Sequence, residues 1–428
     1  MDMSLAGYFC LTMAKKQNPV IQLVMSAAAY GGRTVGRFDG KAVFVPFALP
    51  GEIVKAEITS EFKNHSEARL VEVVKPSPIR AQAPCPQFGM CGGCHYQHIP
   101  YDEQLQLKQR IFTETLQRIA KLKEPVVLPI LASPQQVGYR NNMQYHLDET
   151  GRLCFYPEVP ETPLVPGAGC LLATDTTNTF IKDLELDGSA GIDRVSIREG
   201  DGELMLVLES EEIELPDLSI EADVSVVHIT EEDTVVVSGT EAFFCTVKGK
   251  PFRVSAGSFF QVNSQAAGVM VDTVLALAEW KLADVVMDLY CGVGLFSAFL
   301  APIVGKVIGV EVGQSSCADF EYNLDPFDNV ELYEGAAEEI LPHLKQKVDI
   351  IVVDPPRAGL DKKVVETAVR LSPKKIIYVS CDPTTLARDI ARFAESGYEL
   401  VSAQPLDMFP QTYHIESISL LLRKEAKG

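Results

Sequence analysis

The chain has 428 residues and a formal net charge of −20. That length predicts two or three domains, and the apolar and aromatic fractions are those of an ordinary soluble globular protein. No apolar run approaches the roughly 20 residues needed to span a bilayer, and the excess of acid argues against a general nucleic-acid binder, because phosphate contacts need Lys and Arg.

Residues 1–25 read as a mildly apolar N-terminal tail carrying Lys15 and Lys16, with Met13 and Met25 as alternative starts. The tail lacks the basic start, apolar stretch and small-residue cleavage site of a signal peptide. A reducing cytoplasm is therefore expected, where clustered thiols read as metal ligands or catalysts and ten cysteines do not make a disulfide framework. Cys10, Cys154, Cys245, Cys291 and Cys317 are read as structural.

Residues 26–80 alternate glycine-rich turns with short apolar strands in "YGGRTVGRFDGKAVFVPFALPGE", Ala42–Val45 and Ile53–Ile58 among them. Arg33, Arg37, Lys41, Lys63 and Arg69 are spread through this segment. A small β-barrel with basic loops is a common oligonucleotide-binding design, although such a barrel also serves as a packing or partner surface.

A middle domain is expected over residues 81–250. It opens with "CPQFGMCGGC", in which Cys85, Cys91 and Cys94 crowd one glycine-rich loop and Cys170 is a candidate fourth ligand. The spacing allows four-thiolate zinc or an iron–sulfur cluster. Residues 101–122 place Leu105, Phe112, Leu116 and Ile119 at helical spacing, which predicts an amphipathic helix docked on a neighbouring domain. Strands and turns follow, with hairpins expected around Glu149-Thr150-Gly151 and Gly200-Asp201-Gly202, so this domain is read as antiparallel. Residues 151–240 carry 4 Lys and Arg against 20 Asp and Glu, a net of −16, whereas residues 1–150 carry 16 against 13, a net of +3. The acid is thus gathered on one charged face that can turn away from a nucleic acid bound elsewhere.

From 251 to 428 the texture changes. "VVMDLY", "KVIGVEV", "VDIIVVD" and "KIIYVSC" are continuous apolar runs, as in strands buried on both faces of a parallel sheet, and helical stretches such as Leu295–Ala301 and Ser315–Leu324 separate them. This predicts a doubly wound α/β domain. Asp288, Glu311 and Asp354 each end a strand and are expected to converge beyond the carboxyl edge of the sheet, where open α/β sheets bind ligands. Gly292 and Gly294 let the backbone approach a ligand, and Glu311 suits a ribose diol. The sequence lacks GxxxxGK[ST] and GxGxxG, which disfavours a nucleoside triphosphate and NAD and favours an adenosine–methionine ligand. Cys381 ends the next strand in "YVSCDPTTLARD", just before a helix whose N-terminus would favour its thiolate.

The ordered motifs "SFFQVNSQAA", "DLYCGVGLFS", "VIGVEV", "DPPRAGL", "SCDPTTLARD" and "YHIES" resemble those of the RNA uridine-C5 methyltransferases, and the glycine-rich N-terminal segment resembles that family's TRAM barrel. The resemblance spans roughly residues 28–425. It implies an α/β plus β architecture: an OB-like TRAM barrel, a β-rich middle domain and a Rossmann-like class I methyltransferase domain. It implies Cys381 as the nucleophile and Glu416 as the base, with Gln261, Tyr290, Glu311 and Asp354 around S-adenosylmethionine. It also implies a structural [4Fe–4S] cluster on Cys85, Cys91, Cys94 and Cys170. Phe259 and Phe260 are candidate stacking or cofactor-lining rings, with core packing expected for at least one, and His414 lies close enough to Glu416 to shape the site.

The chain departs from some family members at Gly335-Ala336-Ala337, where they place an Asp or Asn against adenine, and at Leu295, where they have Asn. The implied partner is RNA. The cluster and barrel lean towards large-subunit ribosomal RNA, while a transfer RNA uridine-54 enzyme would share both features. Three rivals remain: an N-methyltransferase using Asp354-Pro355-Pro356 without a thiolate, a DNA cytosine-C5 methyltransferase, and a catalytically silent iron–sulfur RNA-binding protein. A monomer is expected, because no exposed apolar stripe stands out.

Overall fold

The computed structural model describes residues 18–159, 162–167, 169–182, 184, 186, 191–211 and 223–424. Cys10, most of the N-terminal tail and part of the acidic middle segment lie outside the described residues. The chain divides into two compact units at Arg80.

The first unit is a closed barrel of β1 (Val20–Ala29), β2 (Arg33–Phe38), β3 (Lys41–Pro46), β4 (Ile53–Glu61) and β5 (His65–Lys75), in the order β1-β2-β3-β5-β4. Alternation drives it: Leu23, Met25, Val43, Val45, Val54 and Ala56 point inward and fill the interior. Two of the five basic residues are neutralised inside the unit, Arg33 by Glu67 and Arg69 by Glu57.

The second unit begins with the cysteine loop and α1 (Tyr101–Ile119), which buries Lys108, Phe112 and Leu116 and packs on α8 (Pro383–Glu395) of the α/β domain. A seven-stranded sheet follows, built from β6 (Asn142–Leu147), β7 (Leu153–Phe155), β8 (Val165–Pro166), β9 (Arg194–Glu199), β10 (Leu204–Glu209), β11 (Ser225–Ile229) and β12 (Thr234–Ser238), with the short helix α2 (Asp175–Phe180) between β8 and β9 in the chain. Its order is β12-β11-β10-β9-β6-β7-β8. Both expected hairpins form, β6–β7 and β9–β10. The sheet is nevertheless mixed, because β10 and β11 run parallel. The connection between them runs from Ser210 to Val224, long enough for the crossover that parallel strands need.

A hairpin, β13 (Ala242–Val247) with β14 (Lys250–Ser255), packs Phe243, Phe252 and Val254 into the core of the α/β domain. That domain holds α3 (Ser264–Leu277), α4 (Leu295–Leu300), α5 (Gln314–Leu324), α6 (Ala337–Ile340) and α7 (Lys362–Leu371) around a seven-stranded sheet. The strands are β15 (Val285–Leu289), β16 (Lys306–Glu311), β17 (Val330–Glu334), β18 (Ile350–Val353), β19 (Lys375–Ser380), β20 (Tyr398–Leu406) and β21 (Glu416–Arg423), in the order β17-β16-β15-β18-β19-β21-β20. β15 to β19 are parallel, and β21 inserts antiparallel beside β19. The strand order reverses between β15 and β18, which opens a crevice at their carboxyl ends. No helix among the described residues is long and apolar enough to cross a membrane.

Candidate active site

A cavity of about 520 Å³ lies at that crevice, and Gln261, Tyr290, Glu311, Asp354, Cys381 and Glu416 all line it. Each arrives by a separate local device. Gln261 stands two residues before Asn263, whose side chain caps α3 by accepting from Ala266 N–H. Tyr290 follows β15 in the left-handed region, φ +60°, and turns the chain into Gly292 and Gly294. A Cβ on Gly294 would lie 2.4 Å from Leu324 Cδ2, so close helix packing requires glycine there. Glu311 ends β16 with one oxygen accepting from Gly292 N–H (2.9 Å) and the other from Val312 and Gly313 N–H (2.9 and 2.7 Å). The loop glycines and the strand-end carboxylate are thereby one hydrogen-bonded unit.

Asp288, the third strand-end acid, does not reach the cavity. It is fully buried and accepts from Ser297 Oγ at 2.6 Å, tying β15 to α4. The expected convergence is therefore of two acids, Glu311 and Asp354, joined by Glu416 from β21.

The electrostatics of Cys381 differ from the sequence expectation. Burial pushes its thiol up to about 12, and the carboxylates of Glu416, Asp354 and Asp382 add to this, with Arg357 pulling the other way. The helix N-terminus that was to favour the thiolate is capped by Asp382 itself, which accepts from Thr384 and Thr385 N–H (2.7 and 3.0 Å). Burial also raises Glu416 to about 8 and Asp354 to about 7. His414 is pushed down to about 3 by burial and by the cations Arg357 and Lys108, so it stands neutral.

Among the described residues Arg357 supplies the one Lys or Arg side chain on the cavity wall, and it lies 3.3–3.4 Å from the His414 ring nitrogens. Sequence reading passed over it, although "DPPRAGL" places it three residues beyond Asp354. Phe409 was also missed, since a loop phenylalanine carries no motif signal. The two adjacent phenylalanines divide as expected: Phe260 packs on Phe252 with ring centroids 5.7 Å apart, and Phe259 stands 68% exposed at the cavity mouth. Gly335, Ala336 and Ala337 are not on the cavity wall, whereas Leu295 is.

Cys85, Cys91, Cys94 and Cys170 line a second cavity, of about 420 Å³, beside Phe88 and Leu172. Burial raises Cys94 to about 12 and raises Cys91, and the thiols of Cys85 and Cys170 add to both shifts. Among the described residues no three His, Cys, Asp or Glu side chains converge on a single-ion site.

The sequence profile of the tRNA (uracil-5-)-methyltransferase family matches residues 222–424, and that of the TRAM domain matches residues 23–71. An uncharacterized RNA methyltransferase of Halalkalibacterium halodurans is 33% identical over 96% of this chain and 99% of its own. Another, of Aquifex aeolicus, is 36% identical over 95% of this chain and 99% of its own. The crystal structure of Pyrococcus abyssi tRNA (uracil-54, C5)-methyltransferase in complex with S-adenosyl-L-homocysteine superposes with a TM-score of 0.70 at 25% identity, over 94% of this chain and 100% of that one.

Proposed function

The chain belongs to the tRNA (uracil-5-)-methyltransferase family, as an S-adenosylmethionine-dependent RNA (uracil-5-)-methyltransferase, and on that premise we propose that it forms 5-methyluridine at one uridine of 23S ribosomal RNA, with Cys381 as nucleophile and Glu416 as base. The observation that carries this reading is the pairing of a thiol and a carboxyl on neighbouring strands over one cavity.

C5 of uracil is a poor nucleophile. Addition of Cys381 Sγ to C6 makes C5 enolate-like, so that it can take a methyl group. Bound S-adenosylmethionine supplies that methyl on a sulfonium, whose positive charge also favours the anionic form of neighbouring groups. Glu416 then accepts the C5 proton, the electrons of the C5–H bond restore the ring double bond, and the C6–S bond breaks to return the thiolate. In this reading Gln261, Tyr290 and Glu311 hold the cofactor, Glu311 accepting from its ribose, and Asp354 orients the uracil or the cofactor amine. Arg357 offsets the carboxylates around the thiol. The target base must leave its stack to reach the cavity.

We assign the second cavity to a structural [4Fe–4S] cluster held by Cys85, Cys91, Cys94 and Cys170. What supports this reading is that four thiols, three of them from one glycine-rich loop, line one cavity. The cluster would pin the loop and takes no part in the methylation chemistry.

Transfer RNA uridine-54 is the second reading for the substrate, favoured by the likeness to the Pyrococcus abyssi enzyme. One experiment separates the two. The protein is incubated with S-adenosylmethionine and 5-fluorouridine-substituted 23S ribosomal RNA or transfer RNA, and covalent complexes are resolved on a denaturing gel. Fluorine cannot leave as a cation, so the adduct persists. A band with ribosomal RNA that disappears in Cys381→Ala supports the proposal, and a band with transfer RNA alone moves the substrate to uridine-54. No band with either RNA, despite bound cofactor, returns the weight to the N-methyltransferase or silent-binder reading.

A further inference from the structure

The segment between β20 and β21, residues 407–415, delivers Phe409 and His414 to the cavity wall and leads directly into Glu416, the first residue of β21, which also lines it. Little in its sequence tells it where to lie, for it is neither helix nor strand. Its backbone is held from outside its own sheet. Four successive carbonyls are taken in turn: Met408 O by Asn263 Nδ2 (3.0 Å), Phe409 O by Lys108 Nζ (3.1 Å), Pro410 O by the Tyr139 hydroxyl (3.0 Å) and Gln411 O by the His95 and Tyr96 amides (2.8 and 2.9 Å). Except for Asn263, every donor comes from the cysteine loop, α1 or the strand-leading segment at Tyr139. His95 directly follows Cys94, and Tyr139 packs in one apolar cluster with Cys94 and Leu172.

Gln104 is the centre of this grip. Its side chain is 1% exposed, and it meets Gln411 with both ends of its amide. Gln104 Oε1 accepts from Gln411 N–H (3.1 Å), and Gln104 Nε2 donates to Gln411 Oε1 (2.9 Å). The same Nε2 lies 3.1 Å from Tyr96 O and 2.9 Å from Ile99 O, so one amide ties the cysteine loop, α1 and the Gln411 segment together. Gln411 needs such a partner, because its φ of +70° is a conformation that non-glycine residues keep only where the surroundings fix it.

We propose that Gln104 is a positioning residue for proton abstraction: through Gln411 it fixes the segment that places Glu416 against C5 of the bound uracil. This rests on the reading of Glu416 as the base. Glu416 is the first residue of β21, paired with Leu406 at the end of the β20–β21 ladder, so a segment released at Gln411 would loosen that end and the Glu416 side chain with it, whereas Gln261, Tyr290 and Glu311 stand on elements away from it. The thiol would still add and the methyl would still transfer, but the C5 proton would leave slowly, and methylated RNA would remain attached to Cys381.

The test uses the full-length protein with ordinary, unfluorinated transcripts of 23S ribosomal RNA and transfer RNA. Gln104→Leu is compared with wild type and Glu416→Gln for kcat, for S-adenosylmethionine affinity and for the fraction of protein covalently bound to RNA on a denaturing gel. The expected result for Gln104→Leu is a kcat lowered about 10- to 100-fold, cofactor affinity within about twofold of wild type, and a covalent band rising towards that of Glu416→Gln. A merely structural role would lower kcat and cofactor binding together without a covalent band, and that result overturns the proposal. A wild-type kcat overturns it too. If Glu416→Gln accumulates adduct and Gln104→Leu does not, only the positioning role fails; if Glu416→Gln accumulates none, the base assignment falls and the proposal with it. Should Gln104→Leu not fold, Tyr139→Phe removes only the hydroxyl on Pro410 O. A larger covalent fraction than wild type then supports the proposal, and an unchanged fraction overturns it.

Discussion

Cys381 and Glu416 stand opposite each other, one step beyond the Ser380–Ser417 pair of the antiparallel β19–β21 ladder. Their relationship is set by register, so a slip of one residue would turn Glu416 to the other face of the sheet. The Glu416 carboxylate is also the largest charge acting on the Cys381 thiol and raises the cost of ionising it. The two removals should therefore fail at different steps. Cys381→Ala should abolish both methylation and covalent trapping. Glu416→Gln should lower turnover by about 100-fold or more and accumulate the methylated covalent complex. Denaturing gels with radiolabelled RNA check this, and equal adduct levels in Glu416→Gln and wild type would remove Glu416 from the role of base.

The raised acids predict the pH profile. Glu416 and Asp354 titrate near 8 and 7, above their ordinary values, because burial penalises their charged forms. A base must be deprotonated to work, so kcat/KM should climb from pH 6, by about tenfold per unit where one group dominates, and keep rising more gently above pH 8, because the Cys381 thiol, pushed up to about 12, must also lose its proton. Alkylation of Cys381 by iodoacetamide without cofactor should go on rising beyond pH 9, because that thiol titrates near 12. Arg357 lowers both Cys381 and Glu416, so Arg357→Gln should shift the kcat/KM rise to higher pH and slow alkylation at any fixed pH. A profile flat from pH 6 to 9 would contradict this assignment of protons.

What the sequence disclosed, and what it hid, follows from the range of the interactions involved. The strand-end positions of Glu311, Asp354 and Cys381 were legible because continuous apolar runs mark buried parallel strands and their ends. The pairing of β10 with β11 was not, because parallel pairing depends on a crossover and leaves no local turn signal. The burial of Asp288 was hidden for a similar reason. Its residue type and spacing match those of Glu311, and only the placement of Ser297 one helix turn into α4 decides that it serves packing. The direction of the Cys381 shift depended on Glu416 and Asp354, each brought in from a distant part of the chain. Gln104 and Gln411 meet across 307 residues, and neither belongs to any motif.

Gly294 and Gly292 separate two reasons for glycine in one turn. Both have positive φ, +91° and +52°. A Cβ on Gly294 would also strike Leu324 and Phe320, whereas one on Gly292 would meet nothing within 4 Å. Gly294→Ala should therefore cost roughly 1–3 kcal/mol of stability and weaken S-adenosylmethionine binding. Gly292→Ala should cost roughly 1 kcal/mol, the backbone penalty alone, and less than Gly294→Ala. Thermal melts with a cofactor titration distinguish them, and equal losses would mean that backbone conformation alone explains both glycines.

The cysteines divide by environment. Cys85, Cys91, Cys94 and Cys170 line one cavity, whereas Cys154 and Cys245 are buried elsewhere, in β7 and β13. Protein purified without oxygen should contain iron and acid-labile sulfide in equal amounts. Cys94→Ser should lose both and melt at a lower temperature, and Cys245→Ser should keep them. Zinc in place of iron, with no sulfide, would leave the four thiols as a metal site and remove the cluster.

Lys108 and Asp407 form an ion pair in which both side chains are wholly buried, with Nζ 2.6 Å from Oδ1. Burial lowers the Lys108 pKa and the Asp407 charge pulls it back up, so neither charge suits that place without the other. Lys108→Met keeps the length and apolar stem but leaves the Asp407 carboxylate buried without its cation, which should cost roughly 3–5 kcal/mol. Adding Asp407→Leu should recover most of that loss, because the penalty lies in the orphaned charge and not in the missing attraction. Urea midpoints of the three variants measure this. A loss below about 1 kcal/mol in Lys108→Met would mean that the pair is held as neutral partners, in which case its contribution to fixing Phe409 is a hydrogen bond alone.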